Sequence, residues 1–242
     1  FAADSGTAPA GDAYRLLIEG AKFADTHGFA AVWTPERHFH AFGGLYPNPA
    51  ITTAAIATIT SRIHLRAGSV VLPLHNPLRV AEDWAMIDQL SGGRVGLSFA
   101  SGWHVNDFAF MPDNYERRRE VMLEHIDVVM KLWRGETVSA TNGAGQPIEV
   151  SVLPRPLQER PPIWIAAAGS PATFALAGRL GFNILTNMLG QDLADLKVKF
   201  AAYRAARREH GHEGDGVVSV MLHTFVCGDT DEARRLARKP LS

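Results

Sequence analysis

Short apolar runs alternate along the chain with longer stretches in which apolar residues recur every three or four positions. The short runs predict strands over 29–33, 65–72, 95–101, 163–168, 182–186 and 217–227, with 1–3 as the tail of an earlier strand. Their nearly unbroken apolar character suits strands covered on both faces, as in a parallel sheet. The longer stretches carry stripes at helical spacing: Val80/Trp84/Ile87, Met122/Ile126/Val129/Trp133 and Leu193/Leu196/Phe200/Tyr203. Core packing is the expected role of their Trp and Met residues. Asn48-Pro49, Asn76-Pro77 and Ser170-Pro171 each set a side-chain cap before a proline suited to the first helical position. Gly28, Gly92, Gly135, Gly181 and Gly211 fall where helices should end in a left-handed residue.

Repeated strand–helix units of this length fit an open doubly wound sheet or a closed (βα)8 barrel. The doubly wound form should show a glycine-rich phosphate fingerprint after its first strand. The turn after Trp33 reads Thr34-Pro35-Glu36-Arg37-His38-Phe39-His40 instead, which favours an α/β TIM barrel. Counting 1–3, seven barrel strands are present, so the first strand is expected to be truncated and the last to lie beyond Ser242. The opening Phe1-Ala2-Ala3, without a methionine, likewise reads as part of a larger protein. A single domain over 1–242 is expected, with an excursion at 135–162, rich in Gly and Pro, that holds a short hairpin around 148–153.

Composition narrows the function classes. A chain of 242 residues is ample for one α/β barrel. Lys+Arg at 24 against Asp+Glu at 25 gives a net charge of −1, which argues against a nucleic-acid binder that works by neutralising phosphates. No apolar run approaches the roughly 20 residues of a membrane span, and no signal-peptide pattern opens the chain, so a cytoplasmic location is expected. The single cysteine, Cys227, excludes an internal disulfide framework and a cysteine-based zinc site.

In a barrel the chemistry gathers at strand C-termini, which selects 36–40, 68–74, 100–108, 168–173 and 186–189. The turn Ala167-Ala168-Gly169-Ser170-Pro171-Ala172-Thr173 ends a buried strand and opens a helix. Its free N–H groups and the helix dipole would bind an anion, with Ser170 and Thr173 offering hydroxyls and Gly169 allowing close approach. An ordinary serine cap is the competing reading. His38 and His40 could begin a metal site, but 166–168 and 184–186 supply no further His, Asp or Lys ligands, so no metal is expected. Ser101, Gly102, Trp103 and His104 are either site residues or a turn with an interfacial Trp, and Glu36-Arg37 could equally be a surface ion pair. G-x-S-x-G, H-E-x-x-H and P-loop motifs are absent.

Taken together, several strings resemble the bacterial luciferase-like flavin monooxygenases. They are 34–40, the run from Ala67 through Val70-Val71-Leu72-Pro73-Leu74-His75-Asn76-Pro77 to Ala81-Glu82-Asp83, Asp88-Gln89-Leu90-Ser91-Gly92-Gly93-Arg94-Val95, and Ala168-Gly169-Ser170-Pro171. The wording is most similar to the branch found in polyketide and nonribosomal peptide synthetases, whose domains act on a chain tethered to a carrier protein. The resemblance implies a (βα)8 barrel that binds FMN at the strand C-termini. It also implies a separate flavin reductase, O2 as co-substrate and a homodimer. Oxygen would add at flavin C4a, and the resulting (hydro)peroxide would pass one oxygen atom to the substrate, while the protein supplies position, electrostatics and dryness.

Residue by residue, Gly169, Ser170 and Thr173 match the FMN-phosphate turn. Gly68-Ser69 matches a pair that forms a cis peptide under the flavin ring, and Ser101 and His104 match flavin-lining positions. Luciferases proper carry Glu-His-His-Phe where this chain has Glu36-Arg37-His38-Phe39, and a reactive Cys where it has Ala100. Light emission from aldehydes is therefore not expected. His38 is the candidate acid/base, since histidine titrates near neutrality, with a loop-orienting histidine as the plainer reading. Arg37 is an alternative stabiliser of a peroxide anion. Two further readings stay open: an F420-dependent hydride-transfer oxidoreductase of the same superfamily, and a non-catalytic flavin-binding partner subunit.

Overall fold

The computed structural model describes residues 11–40 and 45–238, so the strand expected at 1–3 lies outside the described residues. The chain divides into two compact units, one ending at Ala166 and the other beginning at Ala167. The first runs α1 (Arg15–Thr26), β1 (Ala31–Thr34), α2 (Pro49–Ala57), β2 (His64–Ala67), β3 (Val70–Val71), α3 (Pro77–Ser91), β4 (Val95–Ala100), α4 (Arg118–Arg134), β5 (Val138–Thr141), β6 (Pro147–Val150) and β7 (Ile163–Ala166). The second runs α5 (Pro171–Arg179), β8 (Asn183–Asn187), α6 (Leu193–Glu209), β9 (Val218–Met221) and α7 (Thr230–Ala237). Among the described residues, no helix is long and apolar enough to cross a membrane.

In the first unit β1 pairs with β2, β2 and β3 with β4, and β4 with β7, every pair parallel. Parallel strands need crossover connections, and the capped helices supply them. Asn48 Oδ1 accepts from the N–H groups of Ala50 and Ile51, and Asn76 Oδ1 accepts from that of Leu78, each ahead of a first-turn proline as the sequence predicts. The stripe Val80/Trp84/Ile87 on α3 and the stripe Met122/Ile126/Val129/Trp133 on α4 are buried. A further core joins Leu17 and Ala21 of α1 to Val32, Ile56 and Leu65. In the second unit β8 pairs parallel with β9, and α5 packs on α6. Gly178 permits that approach, because a Cβ there would stand 2.3 Å from the Tyr203 carbonyl oxygen.

Three expectations need correction. The run 65–72 is two strands, because the pairing to β4 slips by one residue across Gly68-Ser69, as at a bulge. The hairpin lies earlier in the 135–162 excursion than 148–153, as β5 against β6, because Asn142 turns the chain by accepting from the N–H groups of Ala144 and Gln146. The run 217–227 is strand only over Val218–Met221, where β8 pairs with it. Beyond Met221, Leu222, Phe225 and Val226 are exposed, and apolar character alone does not make a strand without a partner.

Parallel pairing sends the strand N-termini of the first unit to one edge, and three polar staples, two of them buried, close that edge. The Arg94 guanidinium, 9% exposed, donates to the carbonyls of Ala57, Thr60, Ile63 and Ser91 and to the Thr60 hydroxyl. The Asp88 carboxylate accepts from the Leu157 and Gln158 backbone N–H groups and from the Gln158 side chain. Asp25 accepts from the N–H groups of Ser61, Arg62 and Ile63 and from the Ser61 hydroxyl. Desolvation pushes its pKa up, but these hydrogen bonds outweigh it and hold it at about 2 against an ordinary 3.8.

Removing the Arg94 side chain leaves several buried acceptors unpaired, so Arg94→Ala is expected to lower the unfolding free energy by about 3 kcal/mol in denaturant titration. Because the folded-state pKa of Asp25 is depressed, its contribution is present above pH 3.8 and is lost as pH falls through about 2. Asp25→Asn should therefore be less stable than wild type at neutral pH, and the gap should close in acid. A gap that stays constant down to about pH 2 would contradict the assignment.

Candidate active-site cluster and anion turn

The strand C-termini of the first unit gather a cluster around one carboxylate. Glu36, two residues beyond β1, has a fully buried side chain. Its Oε1 accepts from His38 Nε2 at 2.8 Å and from His75 Nε2 at 2.6 Å, and its Oε2 accepts from Val71 N at 2.7 Å. Burial pushes the Glu36 pKa up, yet the hydrogen bonds from both imidazoles and from Val71 N–H prevail and leave it below the usual carboxylate range. The surface ion pair entertained for Glu36-Arg37 is thereby corrected: the carboxylate is buried and turned toward the two histidines, away from Arg37.

Arg37 lays its guanidinium over the Trp103 ring, 4.8 Å from the centroid, while its Nε is buried without a hydrogen-bond partner. His38 is buried, with the Phe110 ring edge-on at 4.9 Å. Phe39 takes φ +50, a left-handed conformation that costs a residue with a Cβ about 1 kcal/mol, and its ring lies 5.2 Å from Phe110. His40 and His104 face each other at 6.0 Å, and His104 Nδ1 is 3.1 Å from Asp107 Oδ1.

Gly68 donates its N–H to the Thr34 carbonyl, and the Gly68–Ser69 bond is cis. Ser101 follows β4, and the turn after it needs a glycine at 102, since a Cβ there would fall 2.8 Å from the Phe108 ring. Arg37, His38, Gly68, Ser69, Ser101 and His104 thus share one edge of the first unit. A groove of about 580 Å³ opens beside them, lined by Phe39, Val105, Asn106, Phe108, Ala109, Pro112 and Tyr115. The lining holds no charged side chain. Trp103, Val105 and Phe110 stand exposed along the same segment.

The second unit carries the turn expected to bind an anion. Ser170 Oγ accepts from Ala172 N, so the plain cap reading holds, while the Gly169 and Ser170 N–H groups make no hydrogen bond among the described residues. A Cβ at Gly169 would meet nothing within 4 Å, and φ there is not left-handed, so the fold itself has no need of a glycine at that position. Behind the turn, Lys199 of α6 is 8% exposed. Its Nζ donates to the Ala168 carbonyl and to Gln191 Oε1, and no carboxylate pairs with it among the described residues. A buried cation without an acid beside an open turn suits an anionic ligand.

Sequence reasoning missed His75 and Lys199. His75 stood in the quoted run 72–77, but as part of a pattern and not as a side chain. Lys199 lies at positions i+3 from Leu196 and i−4 from Tyr203, on the stripe that is buried, so its position announced it.

An α/β protein with parallel strands and histidine–carboxylate chemistry at the strand C-termini is the class these features define. Within it, the chain belongs to the luciferase-like monooxygenase family, whose profile matches residues 1–242. It is 27% identical over 230 residues to the oxygenase component of a flavin-dependent trigonelline monooxygenase of Acinetobacter baylyi, covering 93% of this chain and 63% of that protein. It is 30% identical over 228 residues to an F420-dependent hydroxymycolic acid dehydrogenase of Mycobacterium tuberculosis, covering 91% and 61%. The chain thus spans a little under two thirds of the curated relatives it matches. The crystal structure of monooxygenase RslO1 from Streptomyces bottropensis superposes with a TM-score of 0.85 at 28% identity, covering 97% of this chain and 72% of that one. This likeness gives the chain the luciferase-like α/β-barrel fold class read from the sequence.

Because nothing packs on Gly169, Gly169→Ala should leave the melting temperature unchanged. If a phosphate approaches that backbone, the same change should weaken FMN binding about tenfold or more in equilibrium dialysis. Equal affinity in the two proteins would remove Gly169 from the site.

Proposed function

We propose that the protein is the oxygenase of a flavin-dependent monooxygenase that takes reduced FMN from a separate reductase and uses O2 to oxygenate an acyl or aminoacyl group tethered to a carrier protein. Family membership supports the reaction class, and the relative described as an oxygenase component supports a separate reductase. One observation carries the reading: a buried carboxylate holds His38 by Nε2 beside an apolar groove. The residues fit the cofactor. Arg37 has a buried donor without a partner, suited to negative charge, and the turn at Ser170 has open N–H groups with Lys199 behind it.

Bound reduced FMN would supply the two electrons that let O2 give one atom to the substrate and the other to water. The chain's residues do the rest. With Nε2–H donated to Glu36, neutral His38 presents Nδ1 as the atom that accepts or returns a proton. Arg37 offers a fixed cation to developing negative charge. Phe39, Val105 and Phe108 give the groove apolar surface, and its uncharged lining suits the apolar part of an acyl chain. Gly68, Ser69, Ser101 and His104 are proposed to contact the flavin, and Gly169, Ser170 and Thr173 its phosphate.

The relative that is an F420-dependent dehydrogenase favours a second reading, hydride transfer to or from F420. The two separate in one experiment. The protein is loaded with reduced FMN under nitrogen, freed of excess flavin and pulsed with oxygen. The expected outcome is retention of reduced FMN and reoxidation at least tenfold slower than that of free flavin. Reoxidation at the free-flavin rate, or no binding of reduced FMN while F420 binds and exchanges hydride, would sink the proposal.

A further inference from the structure

His75 has no part in the proposed reaction, yet it makes the shorter of the two imidazole contacts to Glu36, 2.6 Å against 2.8 Å. Both imidazoles meet the same oxygen, Oε1, while Oε2 accepts from Val71 N. An ionised carboxylate has no hydrogen to give, so both Nε2 atoms carry one and each neutral ring keeps Nδ1 as an acceptor. A single buried negative charge compensates a single cation. A second imidazolium on the same oxygen would place like charges together where water screens them poorly.

The surroundings decide which ring takes the charge. The His75 side chain is 26% exposed and that of His38 6%, so hydration favours a cation at His75. Asp83 of α3, itself paired with Arg79 at 3.0 Å, acts on His75 electrostatically in the same sense. His125 of α4, bonded to the Leu72 carbonyl, opposes it only when protonated, and burial pushes its pKa down. Around His38 stand the uncharged rings of Phe39 and Phe110, while the guanidinium of Arg37, next in the chain, lies over Trp103. His104, near His40, is balanced by Asp107.

We propose that His75 is a positioning residue: as the imidazolium partner of Glu36 it takes the one compensating charge. His38 is thereby left neutral, protonated on Nε2, with Nδ1 as the proton acceptor. The consequence for oxygen transfer rests on the monooxygenase reading, whereas the charge assignment does not.

The test is a pH titration of the flavin-free protein by long-range proton–nitrogen NMR of the imidazoles, across about pH 5 to 8, where histidines change charge. In wild type, His75 should keep its second proton to higher pH than His38, and neutral His38 should show its proton on Nε2. His75→Gln keeps an N–H donor at the place of Nε2 for Glu36 and removes the charge. There the proton affinity of His38 should rise about tenfold, one pH unit in its midpoint. Circular dichroism checks that the variant folds, and if it does not, the wild-type order of titration decides alone. His38 titrating above His75, a neutral His38 with its proton on Nδ1, or an unmoved midpoint in His75→Gln would each overturn the proposal. In an active oxygenase, the acid limb of the rate profile should shift upward with the same substitution. If the NMR result holds while oxygenation fails, the monooxygenase reading falls and the charge assignment stands.

Discussion

The C-terminal edge of the first unit is organised by a carboxylate taken out of water. Burying an ionised group costs several kcal/mol unless its lone pairs are filled, and Glu36 fills its own from three separate places: His38 just after it, the Val71 backbone and His75. β1 has ended at Thr34, and β3 pairs only with β4. Glu36 Oε2 therefore stands where a strand carbonyl would otherwise receive Val71 N–H. One side chain closes the open side of β3 and fixes two imidazoles in the same stroke. The loop after β1 cannot move independently of the segment from Val71 to His75 without leaving that charge unpaired.

The two edges of the first unit divide their labour. Asp88 and Arg94 lie in the most recognisable string of the chain, yet their polar atoms are spent on backbone groups and on the side chains of Gln158 and Thr60. They hold α2, the start of β2 and the segment around Gln158 together at the edge away from the histidines. The string is recognisable because a geometry of this kind tolerates few substitutes: a guanidinium that reaches several carbonyls at once cannot be exchanged for a shorter cation. Resemblance at 88–95 therefore identifies the scaffold, whereas the proposed chemistry rests on 36–40, 68–75 and 101–110.

Much of the scaffold was legible because it follows from local rules. Asn48, Asn76 and Ser170 cap helices with proline behind them, since both devices act within a few residues. The buried stripes of α3 and α4 follow from helical spacing alone. What escaped depends on partners distant in sequence. Nothing in 65–72 marks the register slip, which arises from pairing with β4. Residues 222–227 are as apolar as a strand, but strandedness belongs to the pair. Glu36 and His75 are 39 residues apart, so periodicity could not join them, and a glutamate beside an arginine resembles an ordinary surface pair until its burial is known. Lys199 is the contrasting case. Its spacing places it on the buried face of α6, and only the habit of assigning lysine to solvent hides it.

Each unit contains, among the described residues, a cation whose donors the protein leaves partly unused. In the first, Arg37 stacks on Trp103 and keeps Nε buried without a partner. In the second, Lys199 gives two hydrogen bonds to neutral oxygens and meets no carboxylate. Folding alone gives no reason to bury such groups uncompensated, because an apolar residue of similar volume would be at least as stable. Glu36 shows the opposite arrangement, with every acceptor filled and both partners able to vary their charge. The contrast separates the roles. Fixed cations with spare donors suit an anionic ligand that arrives from solution, whereas a saturated carboxylate between two histidines suits the holding of a proton. Where luciferases carry a histidine next to the glutamate, this chain carries Arg37. That exchange turns a titrating position into a fixed charge and, under the proposed function, assigns proton transfer to His38.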